Sequence, residues 1–302
     1  MSLRNQYFGH LYKIFVLGYD AITVVNGTRH ALRKTIPISG SPFGIAVNPC
    51  TKRVYVTTLD TNRLFIIDAQ SRRIIDSVKV GIEPSGVAVS IKTNRIYVAN
   101  GGSDSISVIT GFRNKMVQSI RVHAGPQSIA VNERTNRVYV THPGYGISVI
   151  DGNNSRVKAW IRVRDRSDMS FIATDSILNR IFVTNQYRNT VTVINGRTNQ
   201  VIRTIPVGKM PSAVVVDPLR HILFTANYDG DSVSVVSTKT YQRLMTIPAK
   251  SPSNLAVDLK KRLLFVTNKE KSLLSVIDLR NYKLQNRIPI SKEPIGLAVI
   301  DI

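Results

Sequence analysis

The sequence predicts an all-β chain folded as a seven-bladed β-propeller, with four antiparallel strands in each blade. Three observations carry that reading. An aromatic residue recurs at Phe15, Tyr55, Tyr97, Tyr139, Phe182, Phe224 and Phe265, at steps of 40 to 43 residues, and a period in the low forties built of short β-type segments is the mark of a propeller blade. Each interval holds four strand-like phrases in fixed order. The phrases left over at the two ends of the chain complete one another.

The first phrase of each repeat is small and apolar, as in Gly44-Ile45-Ala46-Val47, Gly86-Val87-Ala88-Val89 and Gly296-Leu297-Ala298-Val299. Small side chains suit the crowded centre of the ring. The second contains the recurring aromatic, as in Asn94-Arg95-Ile96-Tyr97-Val98-Ala99-Asn100. The third is β-branched, as in Ile106-Ser107-Val108-Ile109 and Val191-Thr192-Val193-Ile194, which suits a half-buried strand. The fourth alternates and often contains proline, as in Thr204-Ile205-Pro206-Val207 and Arg287-Ile288-Pro289-Ile290. Proline removes a ladder donor, so this phrase is expected at the sheet edge and the rim of the disc.

Counted from Gly44, six blades are complete and one inner strand remains at the C-terminus. The missing three strands stand at the N-terminus, in Tyr12-Lys13-Ile14-Phe15-Val16, Ile22-Thr23-Val24-Val25 and Thr35-Ile36-Pro37-Ile38. The expectation is one domain over residues 1–302, with blade 7 formed by residues 294–302 plus 12–37. Such closure removes the open edge of a linear array.

Hydrophobic content of 43% with 20% charged residues fits a chain able to bury a core. The balance of 41 Lys+Arg against 19 Asp+Glu, a formal charge of +22, points to polyanions or acidic surfaces as partners. One cysteine, Cys50, excludes intrachain disulfides, a cysteine-ligated zinc cluster and covalent haem attachment through Cys-x-x-Cys-His. Met1-Ser2-Leu3-Arg4 is not followed by an apolar run of signal-peptide length, and no long apolar span occurs. As written the chain reads as soluble and cytoplasmic; a trimmed natural leader would make it exported or cell-surface.

The phrases Tyr55-Val56-Thr57 and Tyr97-Val98-Ala99-Asn100, the turns after Ser148-Val149-Ile150-Asp151, and Ile205-Pro206-Val207-Gly208 with Gly44-Ile45-Ala46-Val47-Asn48-Pro49 resemble the YVTN family of β-propeller repeats, surface-layer or YncE-like. The resemblance covers nearly all of residues 12–302. It implies the propeller fold and a broad binding or scaffold role. Similar proteins include exported surface propellers, a periplasmic propeller implicated in DNA binding, and relatives of amine dehydrogenase β-subunits. The motif describes blade construction, and fold does not carry function with it.

In a propeller, the loops from outer to next inner strand and from second to third strand share one face, the top. The top loops hold nine cations and ten acids; thirty-two cations and nine acids lie elsewhere. The excess therefore belongs to the bottom, where Lys13, Arg53, Arg95, Arg137, Arg180, Arg220 and Arg262 open the second strands. These residues are read either as contacts to a polyanion, such as nucleic acid, an anionic cell-surface polymer or an acidic protein, or as donors to carbonyls of the next blade. Few aromatics sit in the bottom turns, Tyr241 and Tyr282 being the exceptions, which argues against base stacking.

On the top, Val163-Arg164-Asp165-Arg166-Ser167-Asp168-Met169-Ser170 replaces a shorter turn, and a departure from a repeat marks a candidate binding loop. Arg164, Asp168, His123, His142, Tyr145, Tyr187, Arg188 and Tyr228 are the pocket candidates, with an arginine as clamp for a carboxylate or phosphate. The plainer reading makes the two histidines solvated loop residues and the tyrosines covers for loop backbone. Asp229-Gly230-Asp231 lacks the oxygen ligands of a calcium loop and reads as a turn. No catalytic triad, carboxylate pair or histidine cluster is legible, so no catalytic residue, metal or cofactor is expected. A non-catalytic binding or scaffold module is the leading reading; a lyase-like or lactonase-like enzyme with a top-face pocket is the alternative.

Overall fold

The computed structural model describes residues 12–163 and 169–302. Seven four-stranded antiparallel sheets stand in a ring. Blades 1 to 6 follow in chain order, starting at Pro42, Pro84, Ile129, Met169, Pro211 and Pro252. Blade 7 joins the C-terminal strand Gly296–Asp301 to the strands Tyr12–Leu17, Ala21–Asn26 and Ala31–Pro37. Its register pairs Phe15 with Ala298 and Val16 with Leu297. The ends therefore close the ring as the phrase count predicts.

The recurring aromatics fill the layers between blades. Phe15, Tyr55, Tyr97, Tyr139, Phe182, Phe224 and Phe265 are all fully buried, each surrounded by β-branched residues of its own and the adjoining blade. A buried aromatic of this size is worth about 3 to 5 kcal/mol against alanine, which explains why this position keeps its type while its neighbours vary.

The centre is crowded. The amide of Gly86 donates to the Gln127 carbonyl at 2.8 Å, and a Cβ on Gly86 would lie 2.5 Å from that oxygen. Short hydroxyls bridge inner strands: Ser85 Oγ donates to Gln127 O at 2.9 Å, Ser212 Oγ to Pro252 O at 2.9 Å and Ser253 Oγ to Pro294 O at 3.0 Å. Longer side chains would separate these backbones.

The outer strands face solvent along most of their length and end at Pro37, Pro206, Pro248 and Pro289 in four blades. Between third and outer strands each blade carries a bulge, as at Val108/Ile109 and Val149/Ile150, which twists the edge away from a flat template.

Most bottom turns between inner and second strands are held by a side chain at the end of the inner strand. Asn48, Asn132, Asp175, Asp217 and Asp258 each accept from the amides two and three residues on. Blade 2 has Ser90 there, too short for the task. Glu133 of the next blade substitutes, accepting from the Ile91 amide at 2.7 Å and the Lys92 amide at 3.3 Å. Glu133→Ala is expected to cost about 1 to 2 kcal/mol, and Ser90→Asn in that background to restore most of it. Urea unfolding of the three proteins checks both.

Among the described residues no helix is long and apolar enough to cross a membrane.

Candidate functional site

On the top face the structure brings His123, His142 and Trp160 together. The His123 ring lies against the Trp160 indole, with centroids 3.8 Å apart and planes 33° from parallel, and His142 meets His123 edge-on at 6.1 Å. Sequence reasoning missed Trp160. The signal was available, because the only tryptophan of the chain stands where the other outer strands carry Thr35, Ser77, Ser119, Thr204, Thr246 or Arg287.

His142 is not a solvated loop residue. It is fully buried at the end of its strand, in the place held by Asn100, Asn185, Asn227 and Asn268 in other blades. Asn100 Nδ2 donates to Ser107 Oγ at 3.0 Å, and its Oδ1 accepts from the Gly81 amide at 3.1 Å. His142 performs the same bridging with a ring. A carbonyl can only accept, so Nδ1 carries the proton toward Ala124 O at 3.1 Å and Nε2 accepts from Ser148 Oγ at 2.9 Å. Burial drives its pKa down to about 4, and the nearby His123 pushes it the same way. A neutral imidazole with both nitrogens engaged is a structural pin, not a free base.

Beside this cluster, between blades 3 and 4, lies a cavity of about 550 Å³ whose lining includes Trp160, Arg162, Asn185, Arg188, Thr190 and Thr192. Arg188 thus shares this cavity with Trp160. Tyr145, Tyr187 and Tyr228 do not line it; Tyr145 and Tyr187 stand out in solvent. Tyr228 lies on blade 5, half-buried, its hydroxyl pKa raised by desolvation and by Glu270 and Asp229. The anticipated pocket of eight residues is therefore not assembled as one: of the described candidates Arg188 lines the cavity, and His123 and His142 touch its Trp160 wall from outside it. Arg164 and Asp168 lie outside the described residues. Among the described residues no group of His, Cys, Asp and Glu could hold a metal ion.

On the bottom, the second-strand cations are engaged with the protein. Lys13 Nζ donates to Ala69 O at 2.7 Å and Gln70 O at 3.0 Å. Arg95 donates to Gly152 O at 2.8 Å and to Ser155 Oγ at 3.2 Å, and Arg137 to Gly196 O at 2.5 Å. Arg180 reaches the Tyr241 hydroxyl at 3.2 Å. These four tie one blade to the turn between third and outer strands of the next. Arg53 pairs with Asp68, Arg220 with Asp217 at 2.9 Å, and Arg262 donates to Leu279 O at 3.1 Å. All are charge-assisted bonds from a cation to a carbonyl, a carboxylate or a hydroxyl, and each fixes a turn.

The exposed bottom charge lies elsewhere, on Arg29, Arg73, Lys92, Arg113, Lys115, Arg134, Arg156, Arg197, Lys239, Lys260 and Arg280. Some of it is neutralised: Lys260 sits 2.7 Å from Asp301 and holds that carboxyl below the usual range, and Arg280 pairs with Asp278 at 3.2 Å. The outer strands extend this field onto the rim, with Lys or Arg in every blade and one acid, Asp76. Tyr241 and Tyr282 pack against the core instead of facing outward.

Comparison with known proteins agrees with this architecture. Hydrazine synthase of Kuenenia stuttgartiensis superposes with a TM-score of 0.76 at 17% identity, covering 86% of this chain and 95% of that one. Dihydro-heme d1 dehydrogenase NirN, in complex with DHE, superposes with a TM-score of 0.69 at 13% identity, covering 96% and 75%. At such identities the likeness shows the fold alone. No curated protein sequence matches the chain. Residues 11–218, more than half of the chain, match the YNCE-like beta-propeller. With the closed ring of repeats described above, this places the chain in the YNCE-like beta-propeller family.

Proposed function

We propose that the protein is a non-catalytic binding module that docks an anionic polymer on its bottom face and adjoining rim. The observation that carries this reading is the exposed run of Arg113, Lys115, Arg134 and Arg156 on blades 2 and 3, in a chain of net charge +22. Exposed cations at blade spacing attract a line of phosphates or carboxylates without reading sequence, and affinity then falls steeply with salt. The inward packing of Tyr241 and Tyr282 argues against stacking of unpaired bases, so a duplex is expected to compete at least equally with a single strand.

A salt series with duplex DNA, single-stranded DNA and a teichoic-type polymer tests the reading. Binding to at least one of them, with log K falling linearly in log salt, is expected. Absence of binding to all three at low salt rejects it.

A second reading, an enzyme with a top-face pocket, is favoured by one observation: the two structures named above bear enzyme names. Against it stands His142, neutral and bonded at both nitrogens. A substrate screen in which His142→Asn abolishes a detected turnover while the fold is intact would favour this second reading.

A further inference from the structure

The outer groove between blades 5 and 6 combines three departures from the repeat, and we infer that it is a binding site for a small anion with a compact apolar body. The cavity measures about 350 Å³ and is lined by Ala249, Leu273, Ile277, Leu284, Lys271 and Arg287 among others. That volume lies at the small end of the range for ligand pockets, roughly 300 to 1,000 Å³.

Each departure changes the groove in the same direction. Ala249 stands where the other blades have Ile38, Val80, Val122, Val163, Val207 and Ile290, so methyl groups that would occupy the inner end are missing. Leu273 stands where the other third strands begin with Ala21, Arg63, Ser105, Gly146, Thr190 and Ser232, and with Leu284 it makes the wall apolar. Arg287, opposite Ser275 in the register, replaces a residue that is Ser or Thr in five blades and Trp160 in the sixth. Its guanidinium and the Lys271 ammonium supply positive charge at the mouth. Lys250, also at the mouth, is paired with Asp231 at 2.5 Å; no salt bridge to Lys271 or Arg287 forms among the described residues.

The equivalent grooves lack this combination. The one between blades 1 and 2, about 500 Å³, is lined by Ser105, Ser107 and Ser119; the one between blades 3 and 4 holds Trp160, Arg162 and Arg188 but has Thr190 and Thr204 at the positions of Leu273 and Arg287. Hydroxyl-lined grooves hold water readily. A groove with leucine walls and a cationic mouth favours a ligand that is apolar at one end and carries a carboxylate or sulfonate at the other.

The probe is 8-anilinonaphthalene-1-sulfonate, read by its fluorescence, with N-phenyl-1-naphthylamine as the same ring system without the anionic group. The intact protein is expected to bind the sulfonate saturably at one site, about tenfold more tightly than the neutral compound. Ala249→Val installs the residue of the other blades, so it folds, and it is expected to weaken sulfonate binding at least about tenfold by filling the inner end. Arg287→Ser, also a repeat residue, is expected to bring the sulfonate to the level of the neutral compound. Equal binding of both probes, affinity unchanged in Ala249→Val and Arg287→Ser, or no saturable binding to the intact protein each overturns the assignment. Leu273→Ser is the further variant should Ala249→Val shift the thermal midpoint.

Discussion

Removal of residues 295–302 is expected to abolish cooperative folding. The strand Gly296–Asp301 is the inner member of blade 7, and Leu297, Ala298 and Ile300 on it are nearly or fully buried. It is bonded along its length to Tyr12–Leu17. Neighbouring blades also hold it or the turn before it: Ser253 Oγ donates to Pro294 O, Asn254 Nδ2 to Ile295 O at 3.2 Å and Lys52 Nζ to Asp301 O at 2.7 Å. Burial of the two large aliphatic side chains contributes about 2 to 3 kcal/mol each, and the ladder and bridging bonds about 1 kcal/mol each. The loss is about 10 kcal/mol, comparable to the whole net stability of a typical domain, about 5 to 15 kcal/mol. It also opens the ring, exposing a strand edge on each side of the gap. The truncated chain should be insoluble or show no sigmoidal urea transition. A transition with unchanged midpoint would show that this strand does not close the ring.

The second large effect is a pH dependence from a single buried side chain. The His142 pKa is lowered from 6.5 to about 4 in the folded protein. The unfolded chain therefore binds a proton between those values that the folded one does not. Stability from this group is fully present above pH 6.5, declines as pH falls through the window and levels off below about pH 4. The difference amounts to about 3 kcal/mol. His142→Asn places the residue of four other blades at this position and removes the titration. Between pH 7 and pH 4 the thermal midpoint of the native protein should fall by several degrees more than that of His142→Asn. Parallel curves would show that the imidazole is not held neutral. The carboxylates add their own loss at lower pH in both proteins, so the comparison between the two isolates His142.

Much of the fold was legible because a propeller repeats its physics. The same buried aromatic, the same small inner strand and the same proline-tolerant edge recur, and a count of phrases located the closing strand. The site was far less legible. Whether His142 lines a loop or ends a strand depends on one residue of hairpin length, and its equivalence to Asn100 becomes plain only when both are seen bridging to a serine. Arg95 and Arg113 look alike in sequence, yet one ends on the Gly152 carbonyl and the other stands in solvent. That distinction arises between blades, from contacts some 57 residues apart. Residues such as Trp160, Ala249 and Arg287 could have been found by aligning the repeats and asking where one blade differs.

The central claim is that charge for a partner lies on the exposed turns while the second-strand cations are committed to turns within and between blades. The most direct test compares Arg113→Gln/Lys115→Gln/Arg156→Gln with Arg95→Gln, measuring polymer affinity against salt and the thermal midpoint of each. The triple variant should lower the slope of log K on log salt by about 2 to 3 and leave the midpoint in place, whereas Arg95→Gln should lower the midpoint and leave the slope nearly intact. The opposite pattern, with the slope carried by Arg95 and the turn residues without effect, would contradict the account.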